Sequence, residues 1–160
     1  MKIRQLRHEL WLPRPLAEVF PFFAEAANLE ILTPSSLKFR IQSARPIVMR
    51  VGTLIDYRIV VRGLPFRWQS EITAWEPPVR FVDEQRRGPY RLWQHEHKFV
   101  ERDGATTITD TVRYAVPFDF LAHRWLVRPE IERIFAFRAQ KMRELFSATD
   151  SAVPERTSES

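Results

Sequence analysis

Residues 90–99 read Tyr90-Arg91-Leu92-Trp93-Gln94-His95-Glu96-His97-Lys98-Phe99, a stretch with the two-residue alternation of a β-strand. Successive side chains of a strand point to opposite faces, so Trp93, His95, His97 and Phe99 share one face, and Gln94, Glu96 and Lys98 share the other. Two imidazoles between large aromatics is an unusual composition for a plain core. It suits the wall of a mostly apolar cavity into which a few polar groups are aimed. Such histidines can serve as hydrogen-bonded wall residues or, since imidazole titrates near neutrality, as general acids and bases. Two same-face imidazoles can also chelate zinc, but a metal needs at least a third protein ligand. Asp83, Asp110 and His8 are the candidates, and no spacing compels any of them. The expectation is therefore no metal and no cofactor.

The second conflict between residue type and pattern is Arg138. Ile131, Ile134, Phe135, Met142, Leu145 and Phe146 recur at helical spacing. At about 100° per residue Arg138 falls in the middle of their apolar stripe, about 20° from Ile131. An isolated buried guanidinium is too costly to leave unpaired. The expected partner is a sheet carboxylate, Asp110 ahead of Asp83, with an anionic or carbonyl-bearing ligand as one alternative and a side chain that snorkels out along the face as the other. Each aspartate sits on an otherwise apolar or aromatic strand face. Either one, if interior, joins Arg138 and a histidine in a polar network. His95, His97 and Asp110 are the candidates for catalysis. Tyr57, Trp68, Asp83, Trp93, His95, His97, Asp110, Tyr114, Phe135, Arg138 and Met142 are the expected cavity residues.

The elements that position these residues follow from the same periodicities. Residues 3–12 alternate as a first strand, ended by Pro13 and Pro15. Pro15 is placed to open a helix through Leu16, Val19, Phe20 and Phe23, kept short or kinked by Pro21. A second short helix spans Asn28–Leu32 and stops before Thr33-Pro34. Six strands follow: Phe39–Ser43, Thr53–Arg62, Phe66–Glu76 after a turn at Gly63-Leu64-Pro65, Arg80–Arg86, the histidine strand, and Ala105–Val116 after the Asp103-Gly104 turn. A helical turn from Phe120 to Val127 precedes the last helix, which Pro129 opens. This order is α+β: one curved, seven-stranded antiparallel sheet wrapped around a long C-terminal helix. Residues 1–146 form the one domain, and residues 147–160, almost without apolar side chains, a disordered tail.

Composition bounds the function. A 160-residue chain, 44% hydrophobic and 28% charged, is one soluble globular domain. Cysteine is absent, which removes disulfides and thiolate chemistry. No apolar run approaches the ~20 residues of a membrane span, and the charged N-terminus carries no secretory signal. The cytoplasm is the expected compartment. The net charge of +5 is dispersed among Asp and Glu, which argues against nucleic acid as a partner. With only four glycines, the chain has no nucleophile elbow, phosphate loop or dinucleotide fingerprint.

Several segments together, Trp75-Glu76-Pro77-Pro78, Phe81-Val82-Asp83-Glu84-Gln85, Gly88-Pro89-Tyr90, Trp93-Gln94-His95-Glu96-His97-Lys98-Phe99, Thr109-Asp110-Thr111-Val112-Arg113-Tyr114 and Glu132-Arg133-Ile134-Phe135-Ala136-Phe137-Arg138, resemble the START/Bet v 1-like helix-grip superfamily, also called SRPBCC or polyketide cyclase/dehydrase-like. The likeness covers roughly residues 1–146 and points to a bacterial ligand-binding subfamily. The resemblance implies a deep cavity between the sheet and the last helix. It implies a carrier or sensor, monomeric or weakly dimeric, for an aromatic, lipid-like or polyketide-like molecule. It leaves open an aromatase/cyclase or dehydrase. A third reading is a quinone or lipid chaperone at a membrane surface, without stable insertion, through Arg133, Lys141 and Arg143 on the last helix. Glu130, Glu132 and Glu144 dilute that basic face.

Overall fold

The computed structural model describes residues 2–117 and 127–147. The expected turn at 120–127, except Val127, and the tail beyond Ser147 lie outside them. Strand β1 (Arg4–Leu12) leads into helix α1 (Leu16–Ala24), two 3-10 turns (Ala26–Glu30 and Ser35–Leu37) and strands β2 (Arg40–Ile41), β3 (Leu54–Val61), β4 (Leu64–Glu76), β5 (Arg80–Arg87), β6 (Leu92–Arg102) and β7 (Ala105–Ala115). Helix α2 (Arg128–Ser147) closes the chain. All seven strands form one antiparallel sheet in the order β1-β7-β6-β5-β4-β3-β2. Only the β1–β7 pairing joins distant parts of the chain. Every other neighbour pair is consecutive.

Several boundaries depart from the sequence reading, each for a local reason. The β3–β4 hairpin turns on Arg62 and Gly63, with φ of 51° and 81°, not on Gly63-Leu64-Pro65. Two positive-φ residues make the two-residue turn whose twist matches a hairpin, so Leu64 and Pro65 pair with Val61 and Val60. Pro65 is tolerated because β5 first reaches β4 only at Gln69, which leaves that stretch of β4 an edge. The second short helix is a 3-10 turn starting two residues early, at Ala26. There the Glu25 side chain accepts the Ala27 amide at 3.1 Å and caps it. The strand expected at Phe39–Ser43 pairs over Arg40–Ile41 alone, because beyond them the amides of Gln42 and Ser43 both turn onto the Asp56 carbonyl.

Alternation along β1 sends Leu10 and Leu12 inward, with Arg7, Glu9 and Trp11 outward. The inner face of the sheet carries α1 and α2. Leu12, Val19, Phe20, Phe99, Ile108 and Met142 form one core cluster. Val112, Tyr114, Ile131 and Phe135 form a second. Burying aliphatic and aromatic side chains of this kind stabilises by about 1.5–3 kcal/mol each. The wheel is right for Ile131, Phe135 and Met142, all buried, but Leu145 is 38% exposed. Among the described residues, no helix is long and apolar enough to cross a membrane.

Candidate functional site

Between β3–β6 and the helices lies a cavity of about 420 Å³. From the sheet come Tyr57, Ile59, Trp68, Phe81, Asp83, Trp93, His95 and His97, and from α2 come Ile131, Ile134, Phe135 and Arg138. The segment after β1 closes it with Phe22, Phe23, Leu29 and Leu32. Eight of the eleven expected cavity residues are on this wall. Asp110, Tyr114 and Met142 are not. Tyr114 and Met142 are 2% and 0% exposed and packed into the two core clusters. β7 lies one strand beyond the wall, so Asp110 sits behind the histidines.

Strand register assembles the polar end of the wall. Asp83 on β5 is directly opposite His95, and Asp110 on β7 is directly opposite His97. Each aspartate also reaches the diagonal histidine, as long side chains on one sheet face can. His95 Nε2 lies 3.0 Å from Asp110 Oδ1, and His97 Nε2 lies 3.2 Å from Asp83 Oδ2. His97 Nδ1 is 2.8 Å from Asp110 Oδ1 but out of line for a hydrogen bond, so that contact is ionic. Ring stacking fixes the imidazoles. His97 lies between His95, at 3.8 Å, and Phe81, at 4.1 Å.

This arrangement divides the protons unequally. Burial would raise both carboxyls. The hydrogen bond from His97, the two imidazoles and Arg138 outweigh it and hold Asp83 below its ordinary value. His95 and His97 hold Asp110 far below the usual carboxylate range. Burial and the neighbouring charge of His97 push His95 down despite its carboxylate partners. For His97 burial also opposes charge, but Asp110 and Asp83 together win, and its pKa rises. These directions favour the ionised form of both carboxyls and make His97, rather than His95, the imidazole that takes a proton more readily.

Arg138 does not pair with either aspartate, contrary to the expectation from the wheel. Both carboxylates are already engaged by histidines, and the helix holds the arginine over the cavity rather than against β7. Its Nε is buried with no hydrogen-bond partner among the described residues, and its guanidinium carbon lies 5.3 Å from the Phe135 ring centre. Its charge acts on Asp83 and Tyr57. His8, the other possible third ligand, stands opposite Asp110 on β1 and stacks on Phe135 at 4.8 Å, outside the group formed by Asp83, His95 and His97.

Ser70 and Tyr90 are among the polar wall residues that the sequence did not reveal. Ser70 Oγ is within 3.2 Å of both the Tyr57 hydroxyl and Trp68 Nε1, which donates to it. Tyr90, on the loop before β6, is clamped by Gln85, whose amide donates to the Tyr90 carbonyl at 2.7 Å and whose oxygen accepts the Tyr90 amide at 3.3 Å. Alternation finds Ser70 on the same face as Trp68, but it puts Tyr90 on the Gln94 face, whereas the strand begins only at Leu92 and Tyr90 stands outside it on the cavity wall.

The family described as polyketide cyclase / dehydrase and lipid transport matches residues 12–143. The chain belongs to this family. No curated protein matches it in sequence. Solved structures share the fold at low identity. The Zhui aromatase/cyclase from Streptomyces is 15% identical with a TM-score of 0.74, over 94% of this chain and 98% of that one. A norcoclaurine synthase point mutant from Thalictrum, solved with a transition-state analogue, is 15% identical with a TM-score of 0.68, over 94% and 98%. The major latex-like protein 151 of Panax ginseng is 9% identical with a TM-score of 0.67, over 90% and 97%. The family and these neighbours make the architecture a helix-grip fold.

Proposed function

We propose that the protein binds a small hydrophobic molecule, aromatic, lipid-like or polyketide-like, between sheet and C-terminal helix, as a carrier or sensor. The supporting observation is the cavity itself: about 420 Å³, walled largely by aromatic and aliphatic side chains, with Asp83, His95, His97 and Arg138 among the polar groups that face it. That size and composition belong to small-molecule sites. Tyr57, Trp68, Trp93 and Phe135 grip the apolar body in this reading. Arg138, whose buried Nε has no hydrogen-bond partner among the described residues, receives a ligand oxygen. The protein acts in the cytoplasm as a monomer or weak dimer, with residues 1–146 as the binding domain.

A second reading, a cyclase or dehydrase, is favoured by one specific feature: His95 and His97 face the cavity and are backed by carboxylates. Neutral His95 would accept a proton from a carbon or hydroxyl next to a carbonyl, and protonated His97 would donate one to a leaving or developing oxygen. The family description and the aromatase/cyclase neighbour fit this reading.

Native mass spectrometry of the protein as purified, with tryptophan fluorescence during titration with 1-anilinonaphthalene-8-sulfonate, tests the binding reading. A co-purifying apolar mass, or saturable one-to-one quenching of Trp68 and Trp93, is expected. Absence of both overturns it.

A further inference from the structure

The informative detail of the polar cluster is which nitrogen faces which carboxylate. Asp83 Oδ2 faces His95 Nδ1 at 3.7 Å and His97 Nε2 at 3.2 Å. Asp110 Oδ1 faces the opposite nitrogen of each ring, His95 Nε2 at 3.0 Å and His97 Nδ1 at 2.8 Å. One carboxylate therefore stands behind both imidazoles, and the other stands beside the nitrogens that remain. A carboxylate that accepts the far N–H of a histidine fixes its tautomer and makes the near lone pair more basic. This is the usual outer support of metal-bound histidine.

We infer that Asp83 Oδ2, His95 Nδ1 and His97 Nε2 bind one divalent transition-metal ion, with Asp110 orienting both histidines from behind and the open coordination positions turned to the cavity. Donor atoms of the three side chains lie within 4.8 Å of one another. Ligands about 2.0–2.2 Å from a metal stand about 3.0–3.5 Å apart at tetrahedral or octahedral angles. Of the two carboxylate–histidine separations, 3.2 Å lies within that spacing and 3.7 Å just above it. His97 Nδ1 is buried and out of line with its nearest acceptor. A modest ring rotation brings its N–H onto Asp110 and turns Nε2 from its hydrogen bond with Asp83 toward the shared centre.

Donor chemistry and charge select the ion. Two imidazoles and one carboxylate suit Zn²⁺, Fe²⁺ or Co²⁺, whereas Mg²⁺ and Ca²⁺ prefer oxygen alone. With both imidazoles neutral, two carboxylates against one guanidinium leave a single negative charge at this end of the cavity. A dication reverses that sign and invites an oxygen anion into its open position. This goes beyond the hydrophobic-ligand reading, and its test needs no organic ligand.

The full chain is stripped with a chelator and titrated with Co²⁺, followed by visible absorption, and then with Zn²⁺. One equivalent of Co²⁺ is expected to saturate a d–d band that Zn²⁺ abolishes. A wild-type protein with no saturable one-equivalent band overturns the inference without recourse to variants. His95→Ala and Asp83→Asn are each expected to lower affinity more than tenfold, and Asp110→Asn by about 10–100-fold. Unchanged binding in folded His95→Ala and Asp83→Asn places the ion elsewhere and also overturns it. Long-range ¹H–¹⁵N spectra of the zinc-loaded wild type should show His95 as the Nε2–H tautomer and His97 as the Nδ1–H tautomer. Imidazole signals indifferent to zinc overturn the assignment.

Discussion

The two halves of the sheet face the same layer of helices and do opposite things with it. Along β1, β7 and the far end of β6 the space is filled: Leu12, Ile108, Val112 and Met142 are at 0% exposure, and Tyr114 is at 2%. Along β3, β4 and β5 the inner face meets a void, and its buried residues form smaller clusters around Trp68 and Ile72. The difference separates the tasks. The filled half anchors α2, and the hollow half leaves room that α2 spans with Ile134, Phe135 and Arg138. His95, His97, Asp83 and Asp110 lie along the seam, with Asp110 on the filled side and the other three on the cavity wall. That position lets a buried carboxylate brace side chains that a ligand can reach.

The largest expected effect breaks the seam. Asp110→Ala leaves the two buried histidines with only the more exposed Asp83, and removing one member of a buried ion pair costs about 3–5 kcal/mol. Urea denaturation of the metal-free protein checks this, and a loss below about 1 kcal/mol would mean that the seam contributes little to folding.

Next comes the contrast between halves. Met142→Ala opens a hole in close-packed surroundings and should cost about 2–5 kcal/mol. Ile59→Ala enlarges a space that already exists, so it forfeits mainly the transfer energy, about 2 kcal/mol or less. Equal losses in denaturant titrations would erase the distinction between filled and hollow halves.

The pH dependence should be asymmetric. Asp83 and Asp110 have folded pKa values below their unfolded ones near 4. Their contribution is complete above that value and is lost as pH falls toward the folded values. His95, depressed by burial, adds to the loss below about 6.5. His97 has the opposite sign: its raised value stabilises fully below about 6.5 and is lost as pH rises through the folded pKa. Stability of metal-free protein, measured from pH 3 to 9 in urea, should therefore fall on the acid side and decline gently on the alkaline side. Asp110→Asn should flatten both limbs. A wild-type profile flat from pH 3 to 6 would contradict these protonation states.

The smallest expected effect is the most pointed. Arg138→Met removes a guanidinium that pairs with no carboxylate among the described residues, so stability should change by less than about 1 kcal/mol, far below the loss for a buried pair. Binding of 1-anilinonaphthalene-8-sulfonate, whose sulfonate the arginine would face, should weaken. A destabilisation of about 3 kcal/mol or more would restore the ion pair that the helical wheel suggested.

The hairpin arithmetic shows how far local sequence reaches. Asp103-Gly104 is a two-residue turn, both residues at positive φ, so Arg102 must pair with Ala105. Counting back five residues on each side then sets His97 opposite Asp110. That half of the cluster is legible in the chain's local sequence. The other half is not, because β5 and β6 are joined by a longer segment through Gly88 and Pro89 that prescribes no register. On local grounds Asp83 could face either histidine or neither.

Local order along the chain settles whatever depends on neighbours a few residues apart. This includes the two-residue alternation that turns both histidines inward, the helical stripe that carries Arg138 and Phe135, and the order of elements that makes a helix-grip fold. Only the tertiary structure decided which carboxylate each of those groups meets. It also decided that Asp110 lies behind the wall, that Tyr114 and Met142 are core, and that Arg138 stands over the cavity on the Phe135 ring rather than against a carboxylate. The physical reason is the range of the constraint. Periodicity reports the face on which a side chain lies, whereas its partner depends on strand register and helix placement, which are set by packing across the whole sheet.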